Sequence, residues 1–362
     1  MIPFINVRAQ REAYLSEFKQ AEQEVLDSGC FIGGPVVQAL ESELAEFTGA
    51  KHAITCGSGT DALTIALLAL GLKPGDEVIV PDFTFIAPAE CVMRLGGIPK
   101  FADIDAETLQ VSVESIAKLV TPKTKGIIVV NLFGQCAPYA EIRKCACANN
   151  LWLIEDSAQA FGATQNGVPA CTFGDISITS FYPAKPLGCY GDGGALFTQD
   201  DELANKIRLI ANHGSQTRYV HEICGMNSRL DAIQAAVLRV KLRHFKDELK
   251  KRSENASKYN EFFKTVPGIA PQKIASGNTS TYAQYTVLAD DRRKSFIEKI
   301  DAAEIPYCIH YPQPLHTQPC FKELNQGRGN ANAIEACQKV VSLPMCAFTD
   351  VEEIIARLKK EM

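Results

Sequence analysis

The sequence lacks most features that would place it in a specialised class. Its 362 residues include one tryptophan and five methionines. No uninterrupted apolar run approaches the roughly 18 residues of a membrane-spanning helix, so no membrane span is expected. Neither sign of charge dominates: 37 Lys and Arg against 42 Asp and Glu leave a net charge of −5, and basic residues cluster only modestly, as at Lys250 to Arg252. That excludes the footprint of a nucleic-acid or anionic-membrane binder and favours small-molecule chemistry. Low-complexity tracts and internal repeats are missing, and nothing suggests disorder. The stretch MIPFINVRAQREAY carries Arg8 and Arg11 with no apolar signal region after them, so a cytoplasmic location is expected.

Cysteine is plentiful, but in a pattern that excludes a disulfide framework. The thirteen residues are odd in number and spread from Cys30 to Cys346, which predicts reduced thiols. Cys145 and Cys147 are too close in sequence for a zinc knuckle, and no metal site is expected. Cys189, beside the glycine-rich loop described below, is the one thiol placed to react, although small-residue packing explains it better.

What is present reads as an α/β protein. With 46% hydrophobic and 22% charged residues, the chain is long enough for one large and one smaller domain. Residues 1 to 14 look extended, a helix follows to about Leu26, and Val37, Leu40, Leu44 and Phe47 form one face of the next. Apolar runs at 77–81, 97–104, 126–132, 151–156, 176–181 and 194–198 alternate with helical segments, the pattern of a mainly parallel sheet flanked by helices. A long amphipathic helix from Arg229 to about Phe263 leads out of this unit. The boundary falls near 246, giving a large domain over 1–245, its N-terminal segment at the junction, and a small α+β domain over 246–362. In the latter, strands are expected at YAQYTVLA and YCIHY, a helix from Asp291 and two helices after Asn330.

Three stretches carry chemistry. In SFYPAKPLGCYGDGGALF, Lys185 sits in a loop between two apolar runs; an amine held among apolar groups loses proton affinity and becomes nucleophilic. Read alone, the loop fits a solvated lysine better. In GSGTDALTIALLALG, a glycine-rich turn opens a helix whose Leu63, Leu67 and Leu70 recur at helical spacing. Backbone N–H groups at Gly59, Thr60 and Asp61, with the Ser58 and Thr60 hydroxyls, suit a phosphate, and equally suit ordinary capping. The stretch lacks the Gly-Lys-Ser/Thr ending of a nucleotide P-loop. In LWLIEDSAQAFGA, Asp156 closes a strand, where ligands of open α/β sheets collect. A carboxylate there can keep a pyridine nitrogen protonated, or it can cap a helix.

Phosphate turn, strand-end aspartate and loop lysine, in that order, match the layout of fold-type I pyridoxal-phosphate enzymes. GSGTDAL, PDFTFIAPAE, EDSAQAFGA, SFYPAKPLGCYGDGGA, the His213-Gly214 pair and NSRLDAIQAAVL resemble, over nearly the whole chain, the DegT-type sugar-nucleotide aminotransferases. NSRLD, YAQYT, IHYPQPLHTQP and VSLPM are most similar to the 3-aminotransferases of a UDP-linked 2-acetamido-3-oxo-glucuronic acid. The resemblance implies that Lys185 holds pyridoxal 5'-phosphate as a Schiff base, with the pyridoxamine form arising in the half-reaction. Asp156 would pair with the ring nitrogen, Gln159 lie beside the ring hydroxyl, Phe85 stack on the ring, and Ser180 join Gly59 and Thr60 at the phosphate. Asn227 would reach the phosphate of the neighbouring subunit, making a homodimer with shared sites.

The implied substrates are L-glutamate and the UDP-sugar, in bacterial surface polysaccharide (O-antigen) biosynthesis. A neutral 3- or 4-keto-6-deoxyhexose on a nucleotide and a non-catalytic sugar-nucleotide-binding relative are the alternatives. Arg229 has the fork to meet the glutamate and then the uronate carboxylate, or it merely pairs with Asp231. His310 and Tyr311 would contact the sugar, although a strand-end histidine is commonly a structural group.

Overall fold

A computed structural model describes residues 2–327 and 329–362. Helices α1 (Val7–Ala13), α2 (Leu15–Ser28) and α3 (Gly34–Thr48) precede the large sheet. The expectation of an extended N-terminus fails at α1, because the Asn6 side chain accepts from the Ala9 N–H and starts a helix. Then follow β1 (His52–Cys56), α4 (Gly59–Ala69), β2 (Glu77–Pro81), α5 (Ala87–Arg94), β3 (Ile98–Ala102), α6 (Val113–Leu119), β4 (Thr124–Val130), α7 (Tyr139–Ala148) and β5 (Trp152–Asp156). A short ribbon, β6 (Thr164–Gln165) and β7 (Val168–Pro169), precedes β8 (Ile176–Ser180), β9 (Gly194–Thr198) and α8 (Asp201–Ala211).

The seven-stranded sheet runs β1-β9-β8-β5-β4-β2-β3, and only β9 opposes the others. Its strands are buried on both faces, which is why they read as continuous apolar runs. Val78, Val80, Ile128 and Ile154 pack with α4, α5 and α8, while the alternate residues Ile79, Ile127, Val129 and Leu153 pack with α6 and α7. The parallel strands therefore end together on one edge, where Gly59, Asp82, Asp156 and Ser180 emerge.

Helix α9 (Ala232–Phe263) runs unbroken through the position expected to divide the domains. Beyond it, β10 (Ile269–Pro271), β11 (Tyr285–Ala289) and β12 (Val340–Leu343) form a three-stranded antiparallel sheet with α10 (Arg293–Ala302), α11 (Ala331–Lys339) and α12 (Val351–Glu361). Two segments cross between the units. Leu315 and Phe321 pack into the core of the large sheet, and Ile2 packs against the core of the small one. The strand expected at YCIHY reduces to a single bridge, Cys308 with Ser342. Pro306, Pro312 and Pro314 bracket that segment and offer no N–H to a ladder.

Candidate active site

One cavity on the carboxyl edge of the sheet is lined by Gly59, Thr60, Thr84, Phe85, Asp156, Gln159, Ser180 and Lys185, with Leu63, Ala87, Val130, Ala158 and Ile178 as its apolar wall. The sequence placed seven of its eight polar, aromatic or glycine members; Thr84 it did not.

The lysine loop is tied down by its own backbone. Phe181 and Gly193 close its base with a 2.8 Å hydrogen bond, Cys189 N–H donates to the Phe181 carbonyl at 2.7 Å, and Lys185 N–H donates to the Tyr182 carbonyl at 2.8 Å. Gly188 is needed there, since a β-carbon would lie 2.6 Å from the Tyr182 carbonyl oxygen. The Cys189 thiol is buried and directed to the Phe181 and Gly191 carbonyls, each at 3.1 Å, and burial pushes its pKa up. Packing is its role. Burial pulls the Lys185 amine below its ordinary pKa, opposed by the charge of Asp156.

Asp156 is buried at the end of β5 and accepts from the Ala158 N–H at 2.9 Å. Burial raises its pKa to about 6, against the pull of that N–H and of Lys185. Its neighbour Glu155 points to the opposite side of the strand and is fully buried. It accepts from Asn131, Ser157, Ser177 and the N–H groups of Cys171 and Phe173 at 2.7 to 2.9 Å. Five donors fix the strand end from behind, and thus the side on which Asp156 emerges. Gln159 accepts from the Phe133 N–H at 2.6 Å and donates to the Tyr311 hydroxyl at 3.3 Å. The amide is buried rather than a solvated side chain.

Ser58 caps α4, its hydroxyl accepting from Asp61 N–H at 3.0 Å. That bond takes the Asp61 N–H, expected at a phosphate, for the cap; the N–H groups of Gly59 and Thr60, which line the cavity, have no helical acceptors and remain for the cradle. Ser228 donates to Asp61 at 2.8 Å and accepts from Gly57 N–H at 2.9 Å. It bolts the 227–231 stretch to the turn.

Phe85 is 53% exposed, so it forms a wall of the cavity and not core. Tyr311 lies beside it, ring centroids 6.4 Å apart, and burial pushes its phenol up. His310 is held by Ser342 Oγ at 3.0 Å from Nδ1; burial, then Lys185, lowers its pKa to about 4, so the ring is neutral. Neither residue lines the cavity: Tyr311 stands behind it against Gln159 and Phe85, and His310 is near enough to feel the charge of Lys185.

Asn227 and Arg229 do not join this cavity. Asn227 is exposed and bridged to Asn212, and the cap of α9 is Asp231. Arg229 lines a separate groove with Asn205, Arg208 and Gln216, its nearest polar partner being Asn212 Oδ1 at 3.4 Å, not Asp231.

The cavity suits a flat, phosphorylated pyridine carbaldehyde. The glycine at 59 keeps the helix start open, Phe85 supplies a flat face, and Asp156 and Lys185 supply an acid and an amine. Thr84 Oγ1, on the cavity lining, is buried with no hydrogen-bond partner among the described residues, which fits a site for a polar ligand group.

Residues 13–359 match the DegT/DnrJ/EryC1/StrS aminotransferase family. The chain is 45% identical to a Pseudomonas aeruginosa UDP-2-acetamido-2-deoxy-3-oxo-D-glucuronate aminotransferase, covering 98% of each. It is 40% identical to an Acidithiobacillus ferrooxidans UDP-N-acetyl-3-dehydro-alpha-D-glucosamine 3-aminotransferase, over 99% of this chain and 96% of that one. Among solved structures, S. venezuelae DesV in complex with a ketimine intermediate superposes with a TM-score of 0.96 at 35% identity, over 99% and 96% of the two chains. Cavity, fold and likeness agree: this chain belongs to the DegT/DnrJ/EryC1/StrS aminotransferase family and is a pyridoxal-phosphate-dependent aminotransferase.

Proposed function

We propose that the protein transfers the amino group of L-glutamate to C3 of UDP-2-acetamido-2-deoxy-3-oxo-glucuronic acid. The observation that carries the chemistry is the shared cavity of Lys185 and Asp156 at the opening of α4. Pyridoxal phosphate bound there supplies an electron sink for the carbon that loses its proton. The backbone at Gly59 and Thr60 and the Ser180 hydroxyl hold its phosphate, and Phe85 covers one face of the ring. The ionised Asp156 keeps a proton on the ring nitrogen. Lys185 Nζ would hold the cofactor at rest and, when free, would take the proton from the glutamate α-carbon and later deliver one to C3 of the sugar, glutamate leaving as 2-oxoglutarate. Its lowered pKa leaves a lone pair for this work.

Two features support a homodimer with shared sites. Asn227 and Arg229 do not line the cavity of their own chain, and Phe31, Ile32, Tyr219 and Val220 are exposed apolar side chains. In that arrangement Asn227 completes the partner's phosphate site, and Arg229 meets first the glutamate and then the uronate carboxylate. His310 and Tyr311 contact the sugar. Thirteen free cysteines suit a reducing, cytoplasmic setting. The product is an activated amino sugar, a form suited to supply glycosyl transfer, as in bacterial O-antigen assembly.

The likeness to a 3-dehydroglucosamine aminotransferase favours a second reading, a neutral acceptor aminated at the same carbon. Offering both 3-oxo sugars with glutamate decides between them. Efficient turnover of the neutral sugar without the uronate would sink the first reading.

A further inference from the structure

The carboxyl end of β2 carries a buried network that the chemistry above does not use. Asp82 is fully buried, and three of its oxygens are committed to one distant segment. Its backbone carbonyl accepts from Leu315 N–H at 2.8 Å, Oδ1 accepts from His316 N–H at 2.9 Å, and Oδ2 meets His316 Nδ1 at 2.5 Å. Asn330 Nδ2 adds 2.9 Å to the same oxygen and 3.0 Å to the Phe101 carbonyl. Leu315 and Phe321 anchor the segment in the core of the large sheet.

Asp82 stands between two walls of the site. Two and three residues on, Thr84 and Phe85 line the cavity. On the far side, only residues 312–315 separate His316 from Tyr311, and Pro312 and Pro314 restrict the slack. Cys308 and His310, both held by Ser342, fix the other end of the loop.

We infer that Asp82, through His316 and Asn330, is the positioning residue of the acceptor side: it sets the 310–316 loop in register with the wall at Thr84 and Phe85. It touches no reacting atom. The inference rests on the reading of His310 and Tyr311 as sugar contacts, and its action falls on acceptor binding and not on the glutamate half-reaction.

The test compares the holoenzyme with His316→Leu, which loses the ring donor, and His316→Asn, which retains a donor near the position of Nδ1. Backbone hydrogen exchange over 309–317, the KM for the acceptor and the rate of cofactor bleaching by glutamate are measured. In His316→Leu, exchange of the loop is expected to accelerate and the acceptor KM to rise about tenfold, the scale of one lost hydrogen bond to a buried charge. Bleaching by glutamate should stay within about twofold of the parent, and His316→Asn should restore loop and KM together. Unchanged exchange in His316→Leu, an equal fall of both half-reactions, or an asparagine variant as impaired as the leucine variant would overturn the inference. If His316→Leu does not fold, the parent decides, since fast exchange of the Leu315 and His316 amides would itself refute the clamp. A parent that ignores the uronate sinks the substrate reading alone, and the exchange data still judge Asp82.

Discussion

Gly59 and Ser180 approach so closely that a β-carbon on the glycine would lie 2.7 Å from that of the serine. The helix that opens the phosphate cradle and the strand that leads to Lys185 are thus in contact through the absence of a side chain. Gly59→Ala must push α4 from β8 and widen the cradle. A fall in pyridoxal-phosphate affinity of about tenfold or more is expected, the equivalent of about 1.4 kcal/mol. Absorbance titration measures it, and an affinity equal to the parent's would contradict the role of this close approach.

Asp156 is placed for function at a cost to stability. Its folded pKa of about 6 lies above the ordinary carboxylate value, so the ionised carboxylate destabilises the fold at neutral pH. Asp156→Asn, stripped of cofactor, should be more stable than the parent by about 3 kcal/mol at pH 7. That advantage should shrink as pH falls through 6 towards 4, because the parent then takes up its proton in the folded state. The same variant should lose orders of magnitude in the glutamate half-reaction. Denaturation at several pH values and stopped-flow absorbance check the two halves of this expectation.

If Asn227 serves the partner's site, two dead variants can rescue each other. In a mixed dimer of Lys185→Ala and Asn227→Ala chains, one of two sites has both residues. Random exchange makes half the dimers mixed, so about a quarter of parental activity should return. Exchange of subunits confirmed by mass, with no recovery of activity, would refute the shared site.

Arg229→Ala should raise the KM for the uronate about tenfold or more, the loss of a forked charge pair, and leave a neutral 3-oxo sugar nearly unaffected. Steady-state assays with both acceptors read this directly. Equal effects on both would remove Arg229 from carboxylate recognition.

Much of this was legible in the sequence because the signals are local. β2 and β9 occupy the expected residues, since buried strands are short apolar runs bounded by turn formers. Lys185, Asp156, Gly59 and Ser180 meet because each ends or follows a neighbouring strand, an order that sequence preserves. Local patterns mislead where distant partners decide. YCIHY has the composition of a strand, but its prolines and a single pairing with Ser342 leave one bridge. The apolar start of the chain hides an Asn6-capped helix, although the cap was visible. Asp82 and His316 lie 234 positions apart, and nothing in either stretch announces the other. Thr84 and Ser228 stood inside recognised stretches, yet a lone hydroxyl gains meaning only from its surroundings. The outward turn of Arg229 depends on the path before α9, which periodicity does not encode.

The most direct measurement follows the visible absorbance of the bound cofactor through both halves of the reaction in one cuvette. With the parent protein, L-glutamate should bleach the absorbance of the Lys185-bound cofactor, and UDP-2-acetamido-2-deoxy-3-oxo-glucuronic acid should then restore it, with one amino sugar formed per site. Lys185→Ala should show no steady-state turnover. Bleaching by glutamate that the uronate cannot reverse, or repeated turnover by Lys185→Ala at the parental rate, would contradict the central claim.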